Sequence, residues 1–396
     1  MDSFAALLAP VTPEAFLADH YGKAPLHIPA PKEGAGARRG LLTWDRLNEI
    51  LSVSTAWTEP RLKLFIEGRR IGPEHYCDTA NTLDGEMRRV NPRKVRVFLS
   101  MGASLVANAV ETLTPELRRT AGVLESALLG LTSANVYCSF GGRRAFNSHY
   151  DSHEVFAFHT EGEKVWRIYE GRADNPIAGP PDHPEVQAQM DRQKGRLLRE
   201  VTMRPGDLLY IPRGQFHDAL ASSEASLHVT FSVEPRTARI LFRLLEQEAM
   251  TDSAFRAWLP HPDQDGGAAL AARLADLAER LKTIAVAPAF RGEVADLQRS
   301  VFGELSEYAL PAVGPLEAFE VAPRPAEVVR HPDGWVLRSQ AGLIPLGGLH
   351  KPASWILGRP AFTLQELAAW FPQADEAALR GLVERMGKAG LVAPRR

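Results

Sequence analysis

The chain holds 396 residues, 45% hydrophobic and 24% charged, which excludes wholesale disorder and suggests two or three globular domains. A formal net charge of −2 excludes a global field toward nucleic acid, and no run of about 18 uninterrupted apolar residues predicts a membrane span. Two cysteines, Cys77 and Cys138, neither in a C-x-x-C pair, argue against a zinc-finger or disulfide framework and point to the reducing cytoplasm; the N-terminus lacks the leading positive charge of a signal peptide.

In chain order, "TPEAFLADHYGKAPLHI" opens with Thr12 as N-cap, Pro13 at the first helical position and Glu14 in the first turn, and "LHI" reads as a strand. "LTWDRLNEIL" predicts a second amphipathic helix with Leu47, Ile50 and Leu51 on one face. "RKVRVFLSM" (93–101) reads as a strand, "PELRRTAGVLESALLG" (115–130) as a helix closed by Gly130, and "SANVYCSF" (133–140) as a strand ending in the turn "GGRR". "AFNSHYDSHEVFAFHT" predicts one long strand, turning at "EGE" into "KVWRIYE". A Pro-rich loop, "DNPIAGPPDHP", precedes a "PGD" turn and the strands "LLYIP" and "SLHVTFSV". Short strands with Gly/Pro turns after a helical start predict an antiparallel barrel or jelly roll. From Thr237 three segments with helical apolar spacing predict a bundle, and from about Pro311 strand pairs and helices resemble a winged helix.

The chemistry concentrates in the predicted barrel. In an extended strand residues i and i+2 share a face, so His149 and Asp151 project together. His217, after the Pro-Gly-Asp turn and "YIPRG", can return beside them on a later strand. Two imidazoles and a carboxylate on one side of an ion form a facial triad suited to non-haem Fe(II), with positions left open. Lys164, on the strand returning from the Glu161-Gly162 turn, is a cation that could hold the far carboxylate of a metal-chelating diacid. Tyr137 could donate its hydroxyl to the same group.

"SHYDSHEVFAFHTEGEKVWRIYEG" together with "PGDLLYIPRGQFHDA" and "SLHVTFSV" resembles the JmjC-type 2-oxoglutarate oxygenases, closest to their ribosomal-oxygenase-like (cupin-4) branch. The resemblance spans most of the chain, with specific motifs in residues 135 to 233. It implies an α+β protein built on a double-stranded β-helix. An N-terminal extension covers 1–92, the catalytic barrel 93–236, a helical dimerisation region 237–310 and a winged-helix-like domain 311–396. It implies His149, Asp151 and His217 as Fe(II) ligands, Lys164 and Tyr137 as 2-oxoglutarate ligands, and Asn135 and Ser232 as pocket residues near the cosubstrate. With O₂ as second cosubstrate, it implies hydroxylation of a protein side chain, a ribosomal protein being the favoured substrate, by a homodimer.

His159 departs from the branch, where glutamine is usual, and the approach Arg143–Phe146 matches no pattern of it. His153 and His159 are expected as packed or hydrogen-bonded histidines, and His228 either touches substrate or fills the interior. Arg143 and Arg144 are expected in a solvated loop, and Arg395 and Arg396 at a charged end. The last helix sets Arg380, Arg385 and Lys388 against Glu376 and Glu384, so DNA binding is not expected. Two other classes stay open at this point: a metallo-cupin isomerase or dioxygenase independent of 2-oxoglutarate, and a regulatory protein with a vestigial barrel.

Overall fold

The computed structural model describes residues 3–31, 36–53, 57–59, 61–82, 85–140, 147–181, 183–221, 225–300, 317–331 and 334–395. The expected turn at 141–144, the Arg143–Phe146 approach, the boundary near Pro311 and Arg396 lie outside them. The chain divides into two units, residues 1–235 and 236–396.

Local capping chemistry sets the helices of the first unit. Ser3 and Thr12 accept from the Ala6 and Ala15 N–H groups and open α1 (Phe4–Leu8) and α2 (Pro13–Asp19), with Pro13 in its expected place. Strand β1 (Leu26–Ile28), α3 (Gly36–Arg39) and α4 (Trp44–Val53) follow, then β2 (Leu62–Ile66), β3 (Arg69–Arg70), β4 (Cys77–Thr82) and β5 (Gly85–Val90).

The strand expected at 93–101 is instead a helix, α5 (Pro92–Ser100). Asn91 accepts from the Arg93 and Lys94 N–H groups, and Pro92 occupies the first helical position. Val95 is buried while Val97 is 58% exposed, so the two valines that suggested alternation lie on different faces of a helix. Cap and amphipathic spacing outweigh β-branched propensity here.

The barrel is built from β6 (Ser104–Ala107), α6 (Pro115–Leu128), β7 (Gly130–Phe140), β8 (Glu154–Glu161), β9 (Lys164–Arg172), α7 (Pro184–Gln193), β10 (Leu197–Met203), β11 (Leu208–Ile211), β12 (Gln215–Ala221) and β13 (Ala225–Pro235). One sheet runs β1-β11-β8-β13-β7-β6-β2-β3, and a second runs β10-β9-β12. Helix α6 does not end on Gly130: Leu129 takes the left-handed cap position at φ 50°, and Gly130 already pairs with Pro235. A Cβ at Gly130 would lie 2.7 Å from the Val233 side chain and 2.9 Å from the Pro235 nitrogen, so glycine serves the approach of β13 rather than the helix end.

Along β13, Leu227, Val229, Phe231 and Val233 pack with α6 and the N-terminal helices in the main core. A second core of Val155, Ala157, Trp166, Ile168, Val201, Met203, Leu209 and Ile211 lies between the two sheets. The expected jelly roll is thus two facing sheets with one flank covered by helices.

The long strand expected at 145–160 is broken by a change of sheet. His149 pairs with His217 of the small sheet, whereas Glu154 onward pairs with β13 of the large sheet. The chain changes sheets at Tyr150–His153, so β8 starts only at Glu154. Likewise β11 pairs with β8 and β12 with β9, and the chain changes sheets at Pro212–Gly214. Gly214 makes that corner at φ 82°, where a Cβ would meet the Ala173 carbonyl oxygen at 2.2 Å. Helix α7 was hidden behind the Pro-rich loop: His183 caps it, and Pro184 sits at its first position.

The second unit starts with α8 (Arg239–Ala249), α9 (Ser253–Arg256), α10 (Ala268–Val286) and α11 (Pro288–Arg299). It continues with β14 (Ala318–Val321), β15 (Ala326–His331), β16 (Gly334–Ser339), β17 (Gly342–Pro345), α12 (His350–Leu357), β18 (Ala361–Thr363), α13 (Leu364–Trp370), α14 (Glu376–Lys388) and β19 (Val392–Pro394). Leu337, Ile356, Leu367, Leu379, Leu382 and Met386 form its core.

Candidate active site

The two sheet-changing corners meet, and they carry the three expected ligands. His149 and His217 form an isolated antiparallel bridge, with N···O distances of 3.0 and 2.8 Å. The Gly214 N–H donates to the Asp151 carbonyl at 2.9 Å and ties the second corner to the first. Ligand atoms of His149, Asp151 and His217 lie within 4.8 Å of one another, and His217 Nε2 is 3.5 Å from Asp151 Oδ2. Among the described residues this is the one such group of three or more His, Cys, Asp or Glu.

Each imidazole is oriented by its own loop. His149 Nδ1 lies 2.9 Å from the Asn147 carbonyl, and His217 Nδ1 lies 2.9 Å from the Gln215 carbonyl. A ring N–H spent on a carbonyl directs the other nitrogen to the shared centre. Burial, reinforced by His149 and partly offset by Asp151, holds His217 down at about 4, so it is a neutral donor at pH 7. Burial pushes the Asp151 carboxyl up, but His149, His217 and His153 outweigh it and keep the group below its usual range, ionised.

Behind the bridge lies a network that sequence reading missed. Asp218 Oδ2 accepts from Ser148 Oγ at 2.7 Å and from Tyr169 Oη at 2.6 Å. Lys194 Nζ of the segment after α7 donates to Ser148 Oγ at 3.1 Å. Ser148 and Asp218 adjoin the two histidines in sequence, so this network fastens both corners. The adjacency Ser148-His149 and His217-Asp218 was the available signal.

Lys164 starts β9, is 2% exposed and donates to Ser139 Oγ at 3.1 Å. Burial pulls its ammonium down to about 8, with Cys138 a minor opposing influence. Among the described residues no carboxylate pairs with it. Tyr137 faces the same cavity, its hydroxyl in hydrogen-bond contact with the Asn135 side chain, and burial, then Asp151, pushes its pKa above the ordinary phenol value, so it stays protonated. Asn135 also accepts from the Ala109 N–H at 3.2 Å and stands behind Tyr137 rather than on the cavity wall. Ser232 spends its hydroxyl on the Ser133 carbonyl at 3.2 Å and is likewise off the wall.

The cavity between the sheets measures about 400 Å³. The triad, Tyr137, Lys164 and His228 line it, with Trp166, Thr230 and, from α7, Gln187 and Met190. Trp166 stacks on His217 with centroids 5.8 Å apart. Trp166 Nε1, Thr230 Oγ1 and one ring nitrogen of His228 are buried with no hydrogen-bond partner among the described protein groups. His153 lies off the cavity wall, its Nε2 3.9 Å from Asp151 Oδ1, and His159 is buried with Nε2 3.0 Å from the Gly162 carbonyl. Each is hydrogen-bonded through one ring nitrogen, in keeping with the expectation, though His159 Nδ1 is buried with no partner among the described protein groups; neither joins the triad.

Residues 108–241 match the family described as JmjC domain. That stretch of the chain is a JmjC domain. Relatives include "Ribosomal oxygenase 1" of Gallus gallus, 28% identical over 266 residues, covering 65% of this chain and 42% of that protein. "Ribosomal oxygenase 2" of Bos taurus is 35% identical over 153 residues, covering 37% of this chain and 32% of that protein. "Bifunctional lysine-specific demethylase and histidyl-hydroxylase NO66" of Drosophila persimilis is 27% identical over 232 residues, covering 58% and 31%. The chain therefore spans less than half the length of these relatives. Among solved structures, Escherichia coli YcfD, a ribosomal oxygenase in complex with cobalt and 2-oxoglutarate, superposes with a TM-score of 0.47 at 16% identity, covering 98% of this chain and 99% of that one. The resemblance carried by the motifs at 148–171, 205–219 and 226–233 is borne out for the domain, and the two-sheet barrel is its JmjC/cupin fold.

Proposed function

We propose that the chain is an Fe(II)- and 2-oxoglutarate-dependent oxygenase that hydroxylates a protein side chain, with a ribosomal protein as the favoured substrate. The observation that carries this is the buried, carboxylate-free Lys164 ammonium sharing one cavity with a His-Asp-His triad. A cation 2% exposed needs an anionic partner, because a buried unpaired charge is costly.

The residues present fit both groups. His149, Asp151 and His217 would hold iron from one side, with no thiolate and with positions left open. Lys164, with Tyr137 beside it, would hold the distal carboxylate of 2-oxoglutarate; Asn135 fixes the Tyr137 hydroxyl, and Ser232 supports the neighbouring strand. The unpartnered Trp166 and Thr230 groups are further polar contacts for such a ligand. When bound, iron and cosubstrate activate O₂, yielding succinate, carbon dioxide and an oxygen atom for a C–H bond. The protein's part is to orient these groups in a cavity from which Trp166 and Met190 exclude water. A metallo-cupin without a diacid cosubstrate would leave Lys164 uncompensated.

The ribosomal substrate is proposed from the names of the relatives. Homodimerisation through 237–310 is supported by Phe242 at 76% and Trp258 at 97% exposure. A winged-helix-like domain at 311–396 is supported by the β15–β17 sheet against α12 and by α13 and α14 packed together beside β18 and β19. The cytoplasm is supported by two buried free cysteines. No described helix is long and apolar enough to cross a membrane.

The test is anaerobic titration of the Fe(II)-loaded protein with 2-oxoglutarate, followed by mass spectrometry of candidate ribosomal proteins for one added oxygen atom. Lys164→Ala should abolish measurable cosubstrate binding while the metal still binds. Unaltered 2-oxoglutarate affinity in that variant would remove the cosubstrate assignment.

A further inference from the structure

The two histidines of the triad are seated differently. His217 lies inside β12 and pairs with Ile168 of β9. His149 lies between β7 and β8, belongs to neither, and joins the sheets through the isolated bridge to His217. A ring keeps its aim at an ion only when the groups around it are held, so a ligand on so short a bridge needs support from elsewhere.

Helix α7 supplies that support through one residue, Ser148. Gln187 Nε2 donates to the Ser148 carbonyl at 3.0 Å. That carbonyl belongs to the same peptide as the His149 N–H, which donates to the His217 carbonyl at 3.0 Å. The peptide leading into His149 is thus held at its nitrogen by β12 and at its oxygen by α7. Lys194, the C-cap of α7, is paired with Asp191 at 2.8 Å and donates to Ser148 Oγ at 3.1 Å. Its ammonium also sits 4.9 Å from the centre of the Tyr169 ring. Ser148 is buried, so water does not readily replace these two donors.

The end of α7 is in turn fastened to β9. The Gly171 N–H donates to the Lys194 carbonyl at 2.7 Å, and the Glu170 N–H to the Arg196 carbonyl at 2.9 Å. A Cβ on Gly171 would meet the Gln193 carbonyl oxygen at 2.2 Å, so glycine is what lets the helix end approach this strand. Gln187 and Met190 of the same helix line the cavity. Gln187 therefore belongs both to the cavity wall and to the seat of His149.

We infer that Gln187 and Lys194 are positioning residues for His149, and that α7 joins the cavity wall to the metal seat as one body. Neither side chain is a ligand: Gln187 acts through the Ser148 carbonyl and Lys194 through the Ser148 hydroxyl. Whatever shifts α7 shifts the aim of His149. The inference rests on the triad being a metal site, as proposed above.

Cobalt(II) tests it in the full chain, because its visible absorption reports the number and arrangement of its ligands. Lys194→Met keeps the side-chain stem and removes the ammonium, whereas Lys194→Arg keeps a charged donor. Gln187→Met keeps the length and removes the amide. Gly171→Ala pushes the end of α7 away from β9 and leaves every side chain of the network in place. Lys194→Met and Gln187→Met should each lose about tenfold or more in cobalt affinity, with an altered visible band. Lys194→Arg should recover most of the loss, and Gly171→Ala should alter the band in the same sense. Urea unfolding shows which variants are folded, and Gln187→Met decides the matter if Lys194→Met is not. Wild-type affinity and spectrum in both methionine variants would overturn the inference and leave the metal assignment standing. A loss of affinity with an unchanged band would reduce both residues to structural supports. If the wild-type protein itself binds no cobalt, the metal assignment falls and the inference falls with it.

Discussion

Lys164 is the residue whose ionisation has the clearest consequence. Its ammonium is held down to about 8 from an ordinary 10.5 because folding removes it from water. Two pH effects of opposite sign follow. In protein without cosubstrate, the unfolded chain binds more protons than the folded one between about 8 and 10.5, so this group's contribution to stability rises with pH across that window. Cosubstrate binding needs the charged form, so 2-oxoglutarate affinity should fall as pH climbs through about 8. Urea unfolding and anaerobic binding titrations across that range check both, and parallel trends would mean that Lys164 does not meet the diacid. At this scale much of the site was legible. Imidazole and carboxylate at i and i+2, a distant histidine after a Pro-Gly-Asp turn, and a lysine on a returning strand all announce themselves by residue type. Trp166, Thr230 and Asp218 did not. Alternation tells which face a side chain takes, not what stands opposite it.

Elements were legible where capping chemistry is local, as at Thr12 and Pro13, and misleading where a pattern had two readings. Residues 93–101 alternate valines as a strand would, and only the cap at Asn91 and the burial of Val95 against exposed Val97 resolve them as helix. The strand that sequence reading ran unbroken over 145–160 is cut where the chain passes between sheets, and a second such passage separates β11 from β12. Gly214 is the structural key to that second passage. Gly214→Ala places a Cβ against the Ala173 carbonyl in a left-handed conformation at φ 82°, which should cost on the order of 2 kcal/mol. Because the Gly214 N–H also holds the Asp151 carbonyl, metal affinity should fall as well. Urea denaturation and metal titration of the same variant measure the two effects. A destabilised variant with unaltered metal affinity would show that this corner does not position the triad.

For the whole molecule, the exposed apolar residues of the second unit carry the expectation about assembly. Phe242 at 76% and Leu274 at 52% exposure sit on α8 and α10, and Phe242→Glu should shift sedimentation from dimer to monomer while 2-oxoglutarate binding in the first unit persists. A monomeric wild-type protein would overturn that part of the proposal. The amino-acid sequence by itself determined which chemistry is possible: its donor types, the α+β order of elements, the apolar faces and the buried cation all follow from residue identity and short-range spacing. Only the tertiary structure decided that the ligands lie on two crossing corners rather than on two straight strands. It also decided that Asn135 and Ser232 stand off the cavity wall, and that α7 reaches Ser148 beside His149. These facts depend on which strands pair and where the chain leaves a sheet. Register between segments distant in sequence is settled by packing of the whole barrel, which no local pattern encodes.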